Sequence, residues 1–281
     1  MTAFVIFNPN SDNGRTGRDW REIEEALEKV FPLMAFFVTT GPAQAAHMVR
    51  DALREGHMEI IAVGGDGTIN EALNGFYDRG VMVSPDAVFN FVHSGHESQL
   101  CRRFGIAPDW RAGVAHLSQA KIHKRDVGRV SCLSRNGDPL TRFFLGESSF
   151  GLSAASARAL GRARIARRFG RRFAGWLHHL SVRLRWRETR VRLMTASTDE
   201  IAGIASVSLT VGLAPANGLF EVTVLDGTNR AENARSLRSA RLTAAPTLDT
   251  GGTVDVETDG ESAGVLPASF DIYPAAINLR A

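Results

Sequence analysis

The 281-residue chain has no run of about 18 apolar residues, so nothing in it reads as a membrane-spanning helix. It has two cysteines, Cys101 and Cys132, without the short spacings of metal ligands. Free thiols in a reducing cytoplasm are the expectation. Internal repeats and low-complexity linkers are missing. The first residues, MTAFVIFNPNSDNG, have no basic stretch and no cleavage site, and read as a first strand rather than a signal peptide. Hydrophobic content of 44% and charged content of 22% are ordinary for a soluble globular protein. The length suggests two domains.

A small net charge hides a large asymmetry. Between Arg158 and Arg192 stand twelve arginines, no lysine and one acid, Glu188, against a net charge of +3 for the whole chain. The basic character is therefore local, and an electrostatic partner should be met there.

Residues 60–76 read IIAVGGDGTINEALNGF. The apolar run Ile60 to Val63 has the length of a buried strand, and the pattern turns helical from Asn70 onward. Between them stand Gly64, Gly65, Asp66, Gly67 and Thr68. Glycines let backbone N–H groups approach an anion, and a helix N-terminus adds partial positive charge, so this is the make-up of a phosphate cradle. No Gly-Lys-Ser/Thr follows, which excludes the P-loop, and the spacing is not the dinucleotide GxGxxG.

The first 120 or so residues alternate strand and helix signals. Strands are expected at Phe4–Phe7, Met34–Val38, Ile60–Val63 and Val88–Val92, with helices over Arg18–Val30 and Ala43–Glu55. This rhythm predicts a parallel sheet with helices on both faces and a ligand crevice beyond the strands' carboxyl ends. Asn8, Thr39, Gly64 and the segment His93-Ser94-Gly95 all fall at such ends. From about Lys124 the texture becomes short strands separated by turn signals such as Asn217-Gly218 and Asp226-Gly227. The expected fold is thus α/β plus all-β. A nucleotide-binding α/β domain spans residues 1–123 with a return at 265–281, and a β-sandwich spans 124–264 with a helical insertion at about 152–188.

In this order the residues resemble a known family, the diacylglycerol kinase catalytic-domain superfamily of lipid kinases, which includes diacylglycerol, sphingosine and ceramide kinases. The resemblance is carried by Asn8-Pro9-Asn10-Ser11 and by Gly64-Gly65-Asp66-Gly67-Thr68-Ile69-Asn70-Glu71. Ser149-Phe150-Gly151-Leu152, Gly218-Leu219-Phe220-Glu221-Val222 and Asp259-Gly260-Glu261 follow. It implies a lipid kinase with its active site between the two domains. Asn8, Thr39, Gly64, Gly65, Asp66, Gly67, Thr68 and Asn70 would hold ATP, joined by Gly95, His96 and Ser98 from the next loop. Glu261 would be the general base, and Asp259 its acidic neighbour near the metal and phosphates.

The residue types suit that chemistry on their own. Phosphoryl transfer needs its charge neutralised, the phosphates held in line and a base for the acceptor hydroxyl. Asp66 could hold Mg²⁺ directly or through water. Taken alone, Asp259-Gly260-Glu261 reads as a polar hairpin turn, and its pairing with the glycine motif is what lifts it.

Two stretches depart from the family. Where a sequence near GTGNDFAR is usual, this chain has Gly95-His96-Glu97-Ser98-Gln99. Either the loop binds nucleotide through His96 and Ser98, or ATP binding is lost or altered; the intact glycine and DGE strings favour the first. The second stretch, Ala214 to Leu219, carries Asn217 where bacterial members have a magnesium-binding Asp, so a weak or missing structural Mg²⁺ site is expected there and no metal ligands are assigned.

The arginine segment also carries Phe169, Phe173, Trp176, Leu177, Leu180 and Leu184 on one helical stripe. A core-facing helix with a basic back explains part of this. A polybasic face with interfacial tryptophans also suits docking on an anionic membrane. No nucleic-acid motif accompanies it, so nucleic acid is not expected as a partner.

The sequence therefore predicts a cytoplasmic, peripherally membrane-bound kinase using ATP and Mg²⁺. It would phosphorylate a hydroxyl of a long-chain lipid, a diacylglycerol or a ceramide or sphingoid base. The alternatives are a soluble kinase similar to NAD kinase and an inactive lipid-binding or regulatory relative. Oligomeric state is left open, with a homodimer as one option.

Overall fold

The computed structural model describes residues 2–95, 98–151, 189–212, 216–226, 234–248, 250 and 252–280. The first part of the chain runs β1 (Ala3–Phe7), α1 (Ser11–Arg18), α2 (Trp20–Glu28), β2 (Met34–Val38), α3 (Gln44–Arg54), β3 (Glu59–Gly64) and α4 (Asp66–Gly75). A short hairpin of β4 (Tyr77–Asp78) and β5 (Val81–Met82) leads to β6 (Val88–His93), α5 (Gln99–Phe104) and α6 (Trp110–Gln119). Strands follow: β7 (Ile122–Leu133), β8 (Pro139–Phe144), β9 (Glu147–Gly151), β10 (Thr189–Met194) and β11 (Asp199–Val211). The last are β12 (Phe220–Asp226), β13 (Ala234–Ser239), β14 (Arg241–Pro246), β15 (Asp255–Thr258) and β16 (Glu261–Arg280). The protein is a mixed α/β molecule rich in strands.

Strands β2, β1, β3 and β6 pair in parallel, in that spatial order. Their side chains alternate between two apolar clusters, as the two-residue period of a strand requires. Ile6, Ile60, Ala62, Phe89 and Phe91 pack with Val49 and Leu53 of α3 and Ile69 and Leu73 of α4. Val5, Phe7, Ile61, Val63 and Val92 pack on the other side with Ile23 and Leu27 of α2 and Trp110 and Val114 of α6. Helices thus cover both faces, and the inner strands β1, β3 and β6 read as apolar because neither face meets water, whereas Phe36 and Val38 of the edge strand β2 are exposed.

The local readings need three corrections. Helix α4 begins at Asp66, not Asn70, because Gly65 is the extended residue preceding it and Asp66 stands as an acid in its first turn, where the helix dipole favours it. The Asn8–Ser11 turn continues into α1, a segment interrupted by left-handed backbone at Asp12, Asn13 and Gly14. Helices α5 and α6 were not foreseen; their caps, Ser98 and Asp109, each accept a first-turn N–H.

The later strands are antiparallel and enclose a third apolar cluster. Phe150, Val207, Leu209, Val211, Phe220, Val222, Val224, Val256 and Phe270 meet in it. The intervening residues of β11, Ser206, Ser208 and Thr210, lie on the opposite face. Strand β16 joins the two parts of the molecule. It pairs with β7, β14 and β15, and Asn278 and Leu279 run parallel to Val88 and Phe89 of β6. Its end is clipped in place: Arg280 donates to Glu59 at 2.6 Å and to the Asn90 amide oxygen at 2.9 Å, while Asn90 donates to Glu59 at 2.9 Å.

Residues 152–188, read as the arginine-rich helical insertion, lie outside the described residues. Arg192, beyond them on β10, pairs with Asp199. Among the described residues no helix is long and apolar enough to cross a membrane. Cys101 and Cys132 are unpaired and buried, and burial pushes the Cys101 thiol up to about 11.

Asp126 ties the Asn217 turn to β16. Its carboxylate is buried and accepts N–H bonds from Asn217 at 3.1 Å, Gly218 at 2.9 Å and Ala275 at 2.8 Å. Asn217 in turn accepts from the Leu219 N–H. Asp126→Ala leaves three backbone donors without their acceptor, and should lower stability by about 3 kcal/mol in denaturant titrations.

Candidate active site

The carboxyl ends of the four parallel strands form one edge. Thr39 N–H donates to Phe7 O at 2.9 Å, Asn8 N–H to Val63 O at 3.1 Å and Ser94 N–H to Gly64 O at 2.9 Å. Asn8, Thr39, Gly64 and the segment Ser94–Gly95 are thereby brought side by side. The Asn8 amide donates to Thr68 Oγ1 at 3.2 Å, and Ser11 Oγ accepts the Gly65 N–H at 3.2 Å. A Cβ on Gly64 would lie 2.8 Å from Thr68 Cβ and Oγ1, so only glycine lets α4 start so close to β3. The space a Cβ would fill at Gly65 has nothing within 4 Å. The N–H groups of Asp66, Gly67 and Thr68 open a helix and have no intrahelical acceptor, so this turn offers an anion donors and a positive dipole end.

The three acids assigned to catalysis have separate situations. Asp66 accepts the Ser98 hydroxyl at 2.5 Å on one oxygen and the Gln99 N–H at 2.9 Å on the other. Asp66 therefore fixes the start of α5 rather than presenting two free oxygens to Mg²⁺. Ser98, expected at the nucleotide, spends its hydroxyl on Asp66 and on the Cys101 N–H. His93 Nε2 lies 3.7 Å from Asp66 Oδ1, but burial lowers the imidazole pKa more than Asp66 raises it, so the contact is not an ion pair at neutral pH. Gly95 follows at the same edge. His96, also expected at the nucleotide, lies outside the described residues.

Asp259 is not at an open metal position. Its buried carboxylate accepts the N–H groups of Gly146 at 2.8 Å, Glu147 at 3.1 Å and Leu145 at 3.1 Å, and the Asn70 amide at 3.1 Å. Burial lifts its pKa to about 6 and the four donors oppose that, so it is ionised at neutral pH. Asn70 is equally committed. It donates to Asp259 and to Phe143 O, and accepts from Asn74, so it is a tie between α4 and β8 rather than a nucleotide contact. Asn74, which sequence reasoning missed, accepts the Phe143 N–H at 2.9 Å and donates to Phe143 O at 3.0 Å. An Asn pair four residues apart on a helix that also carries Ile69, Ala72 and Leu73 was the available signal.

Asp259 and Gly260 both have positive φ, 49° and 83°, and turn β15 into β16 with Thr258 opposite Glu261. The DGE string is thus the tight hairpin its residue types favour. It is also the means of delivering Glu261, because a Cβ on Gly67 would lie 3.0 Å from Glu261 Oε1. The base assigned from the far end of the sequence stands against the glycine turn. Burial raises the Glu261 pKa, with smaller contributions from Asp66 and Glu71. Glu71 also accepts the Ala43 N–H at 3.1 Å, which ties the loop after Thr39 to α4. Glu257, also unforeseen, is buried nearby; burial pushes its pKa up to about 7, a Ser149 hydrogen bond opposes that, and the acids around it add to the rise.

Among the described residues no three His, Cys, Asp or Glu side chains converge as metal ligands. Asp259→Asn puts an NH₂ group against N–H donors and should cost about 2–4 kcal/mol of stability. It should also release the hairpin, which hydrogen exchange at Leu145, Gly146 and Glu147 would detect as faster exchange.

Residues 2–130 match the family model described as the diacylglycerol kinase catalytic domain. A protein of Streptococcus pneumoniae named "Putative lipid kinase" is 25% identical over 130 residues, 46% of this chain. The match spans 42% of that relative's own length. The crystal structure titled as "a putative diacylglycerol kinase" from Bacillus anthracis str. Sterne superposes with a TM-score of 0.74 at 17% identity, covering 99% of this chain and 94% of that one. Yeast NADH kinase superposes over 99% of this chain and 82% of its own with a TM-score of 0.54 at 11% identity, a likeness of fold. The resemblance carried by the glycine turn is thereby matched over residues 2–130, and over that stretch this chain is similar to the diacylglycerol kinase catalytic domain.

Proposed function

We propose that the chain is an ATP-dependent lipid kinase that transfers the γ-phosphate to a hydroxyl of a long-chain lipid, a diacylglycerol or a ceramide or sphingoid base. The observation that carries this reading is the apposition of Glu261 and Gly67. It sets a carboxylate of raised pKa beside free N–H groups at the start of α4. Phosphates cradled at the glycine turn would lie against Glu261, where an acceptor hydroxyl can lose its proton. ATP supplies the phosphoryl group. The chain's own part is to hold the phosphates with the N–H groups of Asp66 to Thr68 and to take the proton at Glu261. Asp259 has both oxygens fully used by protein donors and Asp66 accepts one bond on each, so Asp66 alone of the two keeps lone pairs for a cation, and no step is assigned to Mg²⁺.

The two-domain division at residues 123 and 124, with the return from 265, belongs to this reading, as does a cytoplasmic protein working at the membrane surface. The basic segment Arg158–Arg192 is proposed as the contact with anionic lipid. Co-sedimentation with vesicles containing phosphatidylserine should be strong in low salt and lost in high salt. Salt-independent binding would speak against it.

Transfer of labelled phosphate from ATP to a panel of diacylglycerol, ceramide, sphingosine and NAD is the direct test. Transfer to NAD alone would favour the soluble-kinase reading, and a lack of ATP affinity in calorimetry would favour an inactive relative. Glu261→Gln should slow turnover by about 10²–10⁴ while ATP binding persists. In the wild type, the base works only when deprotonated. Its raised pKa therefore predicts a rate that falls, as pH drops, above the ordinary carboxylate range, and Glu261→Gln should abolish that acid limb.

A further inference from the structure

The Glu261 carboxylate is placed without bonds of its own. The residue is exposed, and among the described residues none hydrogen-bonds or pairs with it. It nevertheless stands against Gly67. Its position is therefore set by the backbone that carries it, the turn of Asp259 and Gly260. Asp259 is tied from within the molecule by Leu145, Gly146, Glu147 and Asn70. Gly260, the outer residue of the turn with φ 83°, has no side chain that could be tied in the same way.

One side chain covers it from outside. The three atoms nearest to a Cβ built on Gly260 are Nε2, Cδ and Oε1 of Gln99, at 3.6, 3.7 and 3.9 Å. Gln99 is the first residue of α5, and its own main chain is fixed. Its N–H donates to Asp66 at 2.9 Å, Ser98 caps the helix, and Leu100 and Cys101 are buried next to it in the apolar core. Leu100 and Arg103 also lie against Gly146, at 3.4 and 3.7 Å from the place of a Cβ there. Contacts thus run in a closed circuit from Gly67 through Asp66, Gln99, Gly260 and Glu261 back to Gly67.

Two properties of the Gln99 side chain matter in that circuit. It is long enough to reach from α5 to the hairpin, which an alanine is not. It is also uncharged in a place where Asp66 and Glu71 of α4 already act on Glu261, and where Glu261 in turn acts on Glu257 of β15. A carboxylate carried by α5 would add another like charge and push the hairpin away.

We propose that Gln99 is a positioning residue: laid on Gly260, it braces the outer side of the hairpin as Asp259 holds the inner side, and so keeps Glu261 over Gly67. The kinase reading enters only in making Glu261 the base; the brace itself is a matter of contacts. A side chain that acts by length and neutrality can be replaced by another long uncharged one. A side chain whose amide bonds substrate cannot, and that difference separates bracing from binding.

The test compares Gln99→Met, Gln99→Ala and Gln99→Glu with the wild type. The position is exposed, so all three should fold. Hydrogen exchange over residues 258–262 is measured first, without nucleotide or lipid. Q99M should exchange within about twofold of the wild type, and Q99A and Q99E at least about threefold faster. Transfer of labelled phosphate from ATP to dioctanoylglycerol, N-acetylsphingosine and sphinganine in mixed micelles follows. Q99A and Q99E should lose about tenfold or more in kcat with the KM for ATP nearly unchanged, because a displaced base slows the chemical step and leaves the cradle intact. Q99M should recover most of that rate. Wild-type exchange in Q99A or Q99E, or a loss in Q99M equal to that in Q99A, overturns the brace. So does a raised KM for ATP without a fall in kcat, which would place Gln99 on the nucleotide. If the wild type phosphorylates none of these lipids, the kinase reading fails, and the exchange pattern alone decides about the brace.

Discussion

A carboxylate removed from water must recover in hydrogen bonds what it loses in hydration, and Asp259 recovers it from four N–H groups on two other pieces of chain. Leu145, Gly146 and Glu147 come from the turn between β8 and β9, the Asn70 amide comes from α4, and Asp259 itself heads the hairpin. Because each oxygen accepts from two directions, a shift of any one piece breaks bonds to the others. The distance between Glu261 and the glycine turn is set by this tie, since Glu261 is two residues from Asp259 and Asn70 is three from Gly67. The proposed placing of Glu261 thus depends on a carboxylate whose two oxygens are bonded within the protein. The Asn74 bonds to both main-chain groups of Phe143 work in the same direction, giving β8 a side-chain partner on α4 in place of another strand.

The site has a marked imbalance of charge. Its positive potential comes from backbone amides at the start of α4, whereas its side chains are acidic: Asp66, Glu71, Glu257 and Glu261. Partial charges on fixed amides cost no reorganisation when an anion arrives. The half-buried Arg103 guanidinium lies toward Asp259, Glu147 and Glu221, and partial burial lowers its pKa against the pull of those acids. It therefore balances the floor of the hairpin rather than the cradle.

Much of this was legible in the residues. The inner parallel strands could be read because burial on both faces makes them continuously apolar, and the strands' carboxyl ends fall where Asn8, Thr39, Gly64 and Ser94 suggested. The glycine turn was legible for a steric reason, as Gly64 has no room for a Cβ. The roles of Asn70, Ser98 and Asp259 were not. A buried amide or carboxylate that bonds protein and one that bonds ligand have the same sequence appearance; only the partners distinguish them, and those partners lie up to 189 residues away. Helix α4 was read four residues short because a Gly-rich start masks helical periodicity. Glu257 was passed over because alternation along a short strand does not reveal that its polar face is buried.

Strand β16 has a consequence for how the chain comes to be folded. The last neighbour of β6 in the parallel sheet is made 190 residues after Asn90, the separation between that residue and Arg280. At roughly 5–20 residues per second, a ribosome leaves the β6 edge without its partner for on the order of ten seconds or more. An open parallel edge of apolar strand is a place where nascent chains can pair wrongly. Asn90 and Glu59, polar groups set into that otherwise apolar edge, await Arg280 through the interval. The same clip that fastens the finished sheet thus closes last, since Asn90 and Glu59 gain the Arg280 guanidinium only when β16 has been made.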